Sequence, residues 1–272
     1  MHSPAVRRFA DPAEREPSSA SDDLAAGSAA LDAPDAGQAP DDASLDASFF
    51  PVDPAPFIDA LAPDGAIARA HPGFVAREGQ QQLAAAVGEA IQRQSMLVAE
   101  AGTGTGKTYA YLVPALLAGG RVLISTGTRN LQDQLFARDL PRVREALGVS
   151  ASVALLKGRA NYVCRYHLKR NLADGRFARR EDIVDLRRIE LFSKVSLTGD
   201  RGALTGVAED APAWAMATST RDNCLGQDCP DVDQCFVYKA RQQAQDADIV
   251  VVNHHLFCAD LALKDEGVSE LL

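Results

Sequence analysis

Nine consecutive residues, Glu100-Ala-Gly-Thr-Gly-Thr-Gly-Lys-Thr108, have the make-up of a turn that grips phosphate. Gly102, Gly104 and Gly106 let the backbone curl tightly and aim its N–H groups at phosphate oxygens. A helix beginning just after them would add the positive end of its dipole. Lys107 is placed to sit against the β- and γ-phosphates of a nucleotide, and Thr108 to set its hydroxyl on a magnesium ion. These two are the candidate catalytic residues, and with Gly102, Thr103, Gly104, Thr105 and Gly106 they make a candidate ATP site. The strict pattern has a glycine where this chain has Ala101.

A second chemical set is sulfur. Cys224-Leu-Gly-Gln-Asp-Cys229 and Cys229-Pro-Asp-Val-Asp-Gln-Cys235 leave four and five intervening residues, and Cys164 supplies a distant fourth thiol. In a cytoplasmic chain, cysteines point to metal or chemistry before disulfides. Four thiolates can hold zinc or a cubane iron–sulfur cluster. Zinc sites more often use short C-x2-C knuckles, so the spacing leans towards iron–sulfur, while zinc and unrelated structural cysteines both stay open. Cys258, after an apolar run, reads as a small core residue.

The elements that must position these residues alternate between strand and helix, the rhythm of a parallel sheet covered by helices, an α/β fold. Gln80–Gln94 reads as a helix, Ser95–Ala101 as a buried strand and Lys107–Leu117 as a helix that Pro114 should break or kink. Arg121–Ser125 reads as another buried strand and Asn130–Leu147 as helix interrupted near Pro141. Val153–Leu156 reads as a third strand. The alternation stops between Lys157 and Arg241, where a basic helical segment leads to the cysteine-bearing stretch. Strand character returns at Asp248–Asn253, as if the chain re-entered the same sheet after an excursion. The expected organisation is a tail over 1–55, sheet and helices over 56–156, an insertion over 157–241 and a return over 242–272.

The tail is rich in Ala, Asp, Pro and Ser and too poor in apolar residues to offset the entropy of ordering it, which predicts disorder. It holds 3 Arg and 11 acids, so it contributes −8 of the net −9. By contrast, Lys157–Lys194 holds 11 basic and 5 acidic residues, a place for a polyanion to touch. The longest apolar runs are far shorter than the roughly 20 residues that cross a bilayer, so no membrane span is expected. No apolar leader follows the N-terminus, and a cytoplasmic location is expected.

In order along the chain, the phosphate loop, Lys157-Gly-Arg-Ala-Asn-Tyr-Val-Cys164, the three clustered cysteines and Ala247-Asp-Ile-Val-Val-Val-Asn-His254 resemble the DinG/YoaA-like, XPD-related iron–sulfur helicases of superfamily 2. The resemblance runs from about Phe57 to Leu272, and Ala101 is a variant familiar in that superfamily. It implies a RecA-like motor domain interrupted by an insertion that holds a 4Fe-4S cluster on Cys164, Cys224, Cys229 and Cys235. It further implies ATP-driven 5'-to-3' movement on single-stranded or forked DNA, a place in DNA repair, and replication or repair proteins as partners. Arg77-Glu-Gly-Gln80 resembles the Q motif, in which a glutamine amide reads adenine. Val122–Gln134 resembles motif Ia, with Thr126, Thr128 and Arg129 as DNA contacts. Arg165, Tyr166, Lys169 and Arg170 are placed for phosphate contact and base stacking, and His254 and His255 for structural or coupling roles.

Hydrolysis in such motors needs an Asp-Glu pair at the end of a core strand. The family carries it beyond the region matched here, and Asp265-Glu266 reads as surface. The expectation is an N-terminal portion of a helicase that binds nucleotide, cluster and DNA without turnover or unwinding. A non-enzymatic nucleotide-sensing DNA-binding cluster protein and a zinc-dependent ATPase are the rivals.

Overall fold

A computed structural model describes residues 5–8 and 53–265. The tail is thereby described only at Ala5–Arg8 and from residue 53; the remainder of it, and Glu266, lie outside the described residues. The chain forms two units, Met1–Ala118 and Gly119–Leu272.

The first unit contains β1 (Ala5–Arg8), α1 (Ala55–Ala60), α2 (Ala66–Ala70), α3 (Glu78–Gln92), β2 (Leu97–Glu100) and α4 (Lys107–Ala118). Helix α3 buries Gln80, Leu83, Ala84 and Gly88, the i, i+3, i+4, i+8 spacing of one helical face. Helix α3 packs against α4 and α1, and at Gly88 the approach of α1 leaves no room for a side chain: a Cβ there would lie 2.1 Å from the Phe57 ring. Helix α4 runs through Pro114 rather than ending there. Proline forfeits one helical hydrogen bond, and the burial of Ala110, Leu112, Val113, Ala115 and Leu116 around it outweighs that loss.

Strand β2 departs from expectation. It pairs antiparallel with β1, Ala5 opposite Glu100 and Arg8 opposite Leu97, and it is largely exposed, with Val98 at 50%. A strand is buried only when something covers both faces, and among the described residues of the first unit nothing covers β2 that way.

The second unit carries the parallel sheet. Its elements are β3 (Val122–Thr126), α5 (Arg129–Gln134), α6 (Leu140–Leu147), β4 (Val153–Leu155), α7 (Arg165–Asp174), α8 (Arg180–Val195), α9 (Ala213–Ala217), α10 (Phe236–Asp246), β5 (Ile249–Asn253) and α11 (His254–Asp265). The strand order is β3-β5-β4, with Val122 and Val153 both opposite Ile249. The last strand in sequence is therefore the middle one in space. Ile249–Val252 are all buried, whereas β3 is an edge strand with Leu123 exposed, not the buried strand its composition predicts. Between α5 and α6 the helix widens into a π-turn at Leu135–Asp139, where the Leu140 N–H reaches back to the Leu135 carbonyl. The interruption thus falls just ahead of Pro141, whose missing N–H suits the first turn of α6.

The excursion after β4 folds back on this sheet. Tyr162, Leu168, Leu186, Ile189, Trp214, Phe236 and Val237 share one apolar core with Ala154, Leu156, Val250 and Val252. Helix α11 contributes Leu256 and Phe257 to it and buries Asp260, which leaves Cys258 exposed rather than in the core. No helix among the described residues is long and apolar enough to cross a membrane.

Candidate functional site

The glycine loop leaves β2 and ends at the first turn of α4. Gly104 and Gly106 take φ of +77° and +79°, a region that side chains disfavour. Lys107 is exposed and donates through Nζ to the carbonyls of Ala101 at 2.7 Å and Gly102 at 2.8 Å, while the Thr105 hydroxyl closes the turn onto Gly102 at 3.0 Å. The ammonium thus lies over the loop, held by neutral carbonyls alone, where an anionic oxygen would compete well for it. Thr103 is exposed and Thr108 half-buried at the helix start.

Gln80 is 2% exposed, and its Nε2 donates to the Gly106 carbonyl at 2.9 Å while Oε1 is buried with no partner. The amide faces the phosphate loop in this geometry. A Cβ on Gly106 would stand 2.2 Å from Gln80 Nε2, so glycine is required here by contact as well as by φ.

In the second unit, the ends of the parallel strands carry the residues of the motif Ia resemblance. The Thr128 hydroxyl caps α5 by accepting from the Leu131 N–H at 3.2 Å. The Thr126 hydroxyl bonds the carbonyls of Thr128 and Val252. Arg129 is exposed and donates to Asn161 Oδ1 at 3.3 Å. Ser125 Oγ and His254 Nδ1 lie 2.6 Å apart, which ties the end of β3 to the start of α11. Of the three residues expected to meet DNA here, Arg129 presents an exposed guanidinium, bonded only to the Asn161 side chain among the described residues, while both threonine hydroxyls are engaged by the backbone.

The basic segment divides in the same way. Arg165 stacks over the Phe236 ring at 4.8 Å and donates to the Ser193 carbonyl at 2.6 Å, joining α7, α8 and α10. Lys169 pairs with Asp231, and Arg170 lies 4.0 Å from Asp174. The side chains of Lys169 and Arg170 are both largely exposed.

All five cysteines are free, and Cys164, Cys224, Cys229 and Cys235 are each half-buried. Cys164 stands at the N-cap of α7, and its backbone N–H donates to the Ala217 carbonyl at 2.7 Å. Burial pushes its thiol pKa up; N–H groups of His167 and Tyr166 oppose this, and the charges of Cys235 and Cys229 add to it. Short 3-10 turns at Gly226–Asp228 and Val232–Gln234 set up Cys229 and Cys235. Cys224 Sγ accepts from Arg159 Nη1 at 2.9 Å and from the Gly226 N–H at 3.4 Å. Burial and the neighbouring Arg159 push the Arg241 pKa down, against the opposing charges of Cys224 and Cys235. Half-buried sulfurs with N–H donors and guanidinium groups beside them suit a thiolate-bound centre in donor chemistry. Among the described residues, no three His, Cys, Asp or Glu side chains converge closely enough to hold a metal ion.

Several residues that build this region carried no separate signal in the sequence. Lys157, only 5% exposed, donates to Asp133 at 2.7 Å and Asp200 at 2.6 Å, and its backbone N–H donates to the Tyr162 hydroxyl at 3.0 Å. Burial alone would lower the Lys157 pKa, yet the hydrogen bonds to Asp133 and Asp200 outweigh it and hold it raised. Burial pushes the Tyr162 phenol up to about 12. Gln132, 1% exposed, donates to the carbonyls of Leu156 and Val251. Lys157, Arg159, Asn161 and Tyr162 all belong to the segment that ends at Cys164, so the stretch quoted for its resemblance was also the signal for them.

A strand, a glycine turn and a helix presenting Lys and Thr make a phosphate-binding arrangement, and the family comparison agrees with it. Residues 78–198 match the DEAD/DEAH box helicase family, so this chain carries a helicase domain of that kind. It is related to helicases named YoaA and DinG. It is 52% identical over 214 residues to the ATP-dependent DNA helicase YoaA of Escherichia coli (strain K12), covering 79% of this chain and 34% of that protein. Against the YoaA of Haemophilus influenzae the identity is 50% over 200 residues, 74% of this chain and 31% of that one. The ATP-dependent helicase DinG of Mycobacterium tuberculosis (strain ATCC 25618 / H37Rv) is 37% identical over 227 residues, 75% of this chain and 34% of its own length. The chain spans about a third of the length of these relatives.

Proposed function

We propose that this chain serves an ATP-dependent DNA helicase of the YoaA/DinG type, moving 5' to 3' on single-stranded or forked DNA. Within it, residues 56–156 and 242–272 contribute to a RecA-like motor domain, and residues 157–241 form its cluster-bearing insertion. The loop from Gly102 to Thr108 supports this most strongly: two glycines at positive φ, a helix start behind them, and an exposed Lys107 held only by two backbone carbonyls. Lys107 neutralises phosphate charge, the loop N–H groups orient the phosphates, and Thr108 offers its hydroxyl to magnesium. Gln80 braces the loop through Gly106 and shapes the adenine side. Arg129, Lys169 and Arg170 supply cationic contacts to the DNA backbone, with Thr126 and Thr128 shaping the turn beneath.

Cys164, Cys224, Cys229 and Cys235 would hold a 4Fe-4S cluster, a rigid redox-capable crosslink for the insertion. The half-buried thiols and the Arg159 and Gly226 N–H groups directed at Cys224 support that assignment. Among the described residues, no Asp-Glu pair follows a core strand: β5 leads into Asn253 and His254, and Asp265 ends α11. Nucleotide binding without turnover is the activity proposed for these 272 residues alone.

Two measurements on anaerobically purified chain test this reading. Titration with a fluorescent ATP analogue and magnesium should give saturable binding that Lys107→Ala abolishes. Iron and acid-labile sulfide should appear together in amounts near four per chain, as a 4Fe-4S cluster requires. Zinc without sulfide would refute the cluster, and binding indifferent to Lys107 would refute the nucleotide site.

A further inference from the structure

Lys157 joins three pieces of chain that are far apart in sequence. Its Nζ bridges Asp133 of α5 and Asp200 of the excursion, and its backbone N–H holds the Tyr162 hydroxyl. Asp200 is fixed in turn: its Oδ1 accepts from the Gly202 N–H at 2.9 Å, and its backbone forms a bridge with Tyr162, two residues before Cys164. A second link runs parallel to the first, from Arg129 to Asn161, whose amide donates to the Gly158 carbonyl. Between them lies a cavity of about 220 Å³, lined by Thr128, Arg129, Asp133, Lys157, Asn161 and Arg201.

The charge arrangement makes Lys157 more than a packing residue. One buried ammonium serves two carboxylates, so the two acids share it, and each weakens its ion pair if the other draws Lys157 away. Asp133 is 48% exposed and Asp200 16%. The α5 end of the bridge is therefore wet and easily exchanged, while the Asp200 end is dry and firm. A force that shifts α5, as a phosphate drawn to Arg129 would, is felt first at the Asp133 contact and then at Asp200 and Tyr162.

We propose that Lys157 is a positioning residue, a charge latch that couples the strand–helix turn at Thr128–Arg129 to the cysteine-bearing excursion through Asp133 on one side and Asp200 and Tyr162 on the other. The proposal rests on the DNA and cluster roles assigned above for its use. The latch itself is a property of the folded chain and is tested without either ligand.

The test is amide hydrogen exchange on the full 272-residue chain, comparing the unaltered protein with Asp133→Asn, which removes the wet ion pair and keeps the dry one. Without ligand, exchange should quicken in α5 and, because Lys157 then serves Asp200 alone, slow at residues 197–205, on the order of 5-fold or more, with circular dichroism unchanged. A residue of merely local importance would disturb α5 alone, and unchanged exchange at 197–205 overturns the latch. Lys157→Met should loosen both sides, and Lys157→Arg should restore 197–205; if Lys157→Met does not fold, the Asp133→Asn result decides.

Adding a deoxythymidine oligonucleotide should then protect 197–205 in the unaltered chain and not in Asp133→Asn. Equal protection in both contradicts the coupling. Oligonucleotide binding to neither protein would refute the DNA assignment, and missing iron and sulfide the cluster, while the ligand-free comparison would still decide the latch.

Discussion

Replacing Gly106 with alanine is predicted to cost two separable amounts, because the residue is constrained twice. Its φ of +79° costs an L side chain about 1–2 kcal/mol. The new Cβ would stand 2.2 Å from Gln80 Nε2 and 2.9 Å from Gln80 Cδ. Gln80 is 2% exposed and has no solvent to retreat into, so relief means breaking its bond to the Gly106 carbonyl. Overpacking and the stranded amide together add about 1–3 kcal/mol. In a Gln80→Ala background the second amount vanishes and the first persists. The two substitutions together should therefore cost less than their sum, with a coupling of about 1–3 kcal/mol. Amide hydrogen exchange in α3 and α4 is the assay, since it reads these helices directly, whereas the single tryptophan, Trp214, belongs to the other unit. Strict additivity would refute the contact, and a harmless Gly106→Ala would refute both parts.

Three further outcomes follow from the second unit, where Trp214 fluorescence follows unfolding. Asp248 accepts from the Ser152 hydroxyl and N–H, both at 2.7 Å, which holds its carboxyl below the usual range. A depressed carboxylate stabilises above its unfolded pKa of about 3.9 and loses that contribution as pH falls through its lower folded value. Urea midpoints measured from pH 6 down to pH 2 should therefore fall less steeply in Asp248→Asn. Gln132→Leu should destabilise by about 1–2 kcal/mol in urea unfolding, because the Leu156 carbonyl loses its buried donor while the Val251 carbonyl keeps the Leu156 N–H. Arg165→Ala should lower the urea midpoint by removing the Phe236 stack and the Ser193 bond, whereas Lys169→Ala and Arg170→Ala should leave the midpoint near that of the unaltered chain and weaken oligonucleotide binding.

The parts of this molecule that read clearly from sequence are those whose chemistry is local. The phosphate loop is one: glycines, lysine and threonine sit within a single turn, and their roles follow from adjacency. Ile249–Val252 is another, since four β-branched residues in a row suit only a strand covered on both faces, and β5 is that strand. Composition misleads where burial is decided by neighbours. Met96 and Val98 look like core residues and are 64% and 50% exposed, because a strand's faces are covered or not by other elements. Cys258 fails for the same reason: α11 turns Leu256, Phe257 and Asp260 inward and Cys258 out. Pro114 breaks an isolated helix but not one whose flanking residues are all buried. Arg165 and Lys169 share a charge, and only the distant Phe236 and Ser193 distinguish a staple from a surface cation. The partners of Lys157, Asp133 and Asp200, lie on either side of it in sequence at no recurring interval, so no spacing rule announces them.

ATP turnover by the anaerobically purified chain, with and without single-stranded DNA and beside Lys107→Ala, tests the central claim most directly. Binding of magnesium-ATP that depends on Lys107, with no turnover in either condition, is the predicted result. DNA-stimulated, Lys107-dependent hydrolysis would contradict it, by showing that the acids which activate water are already supplied within these residues.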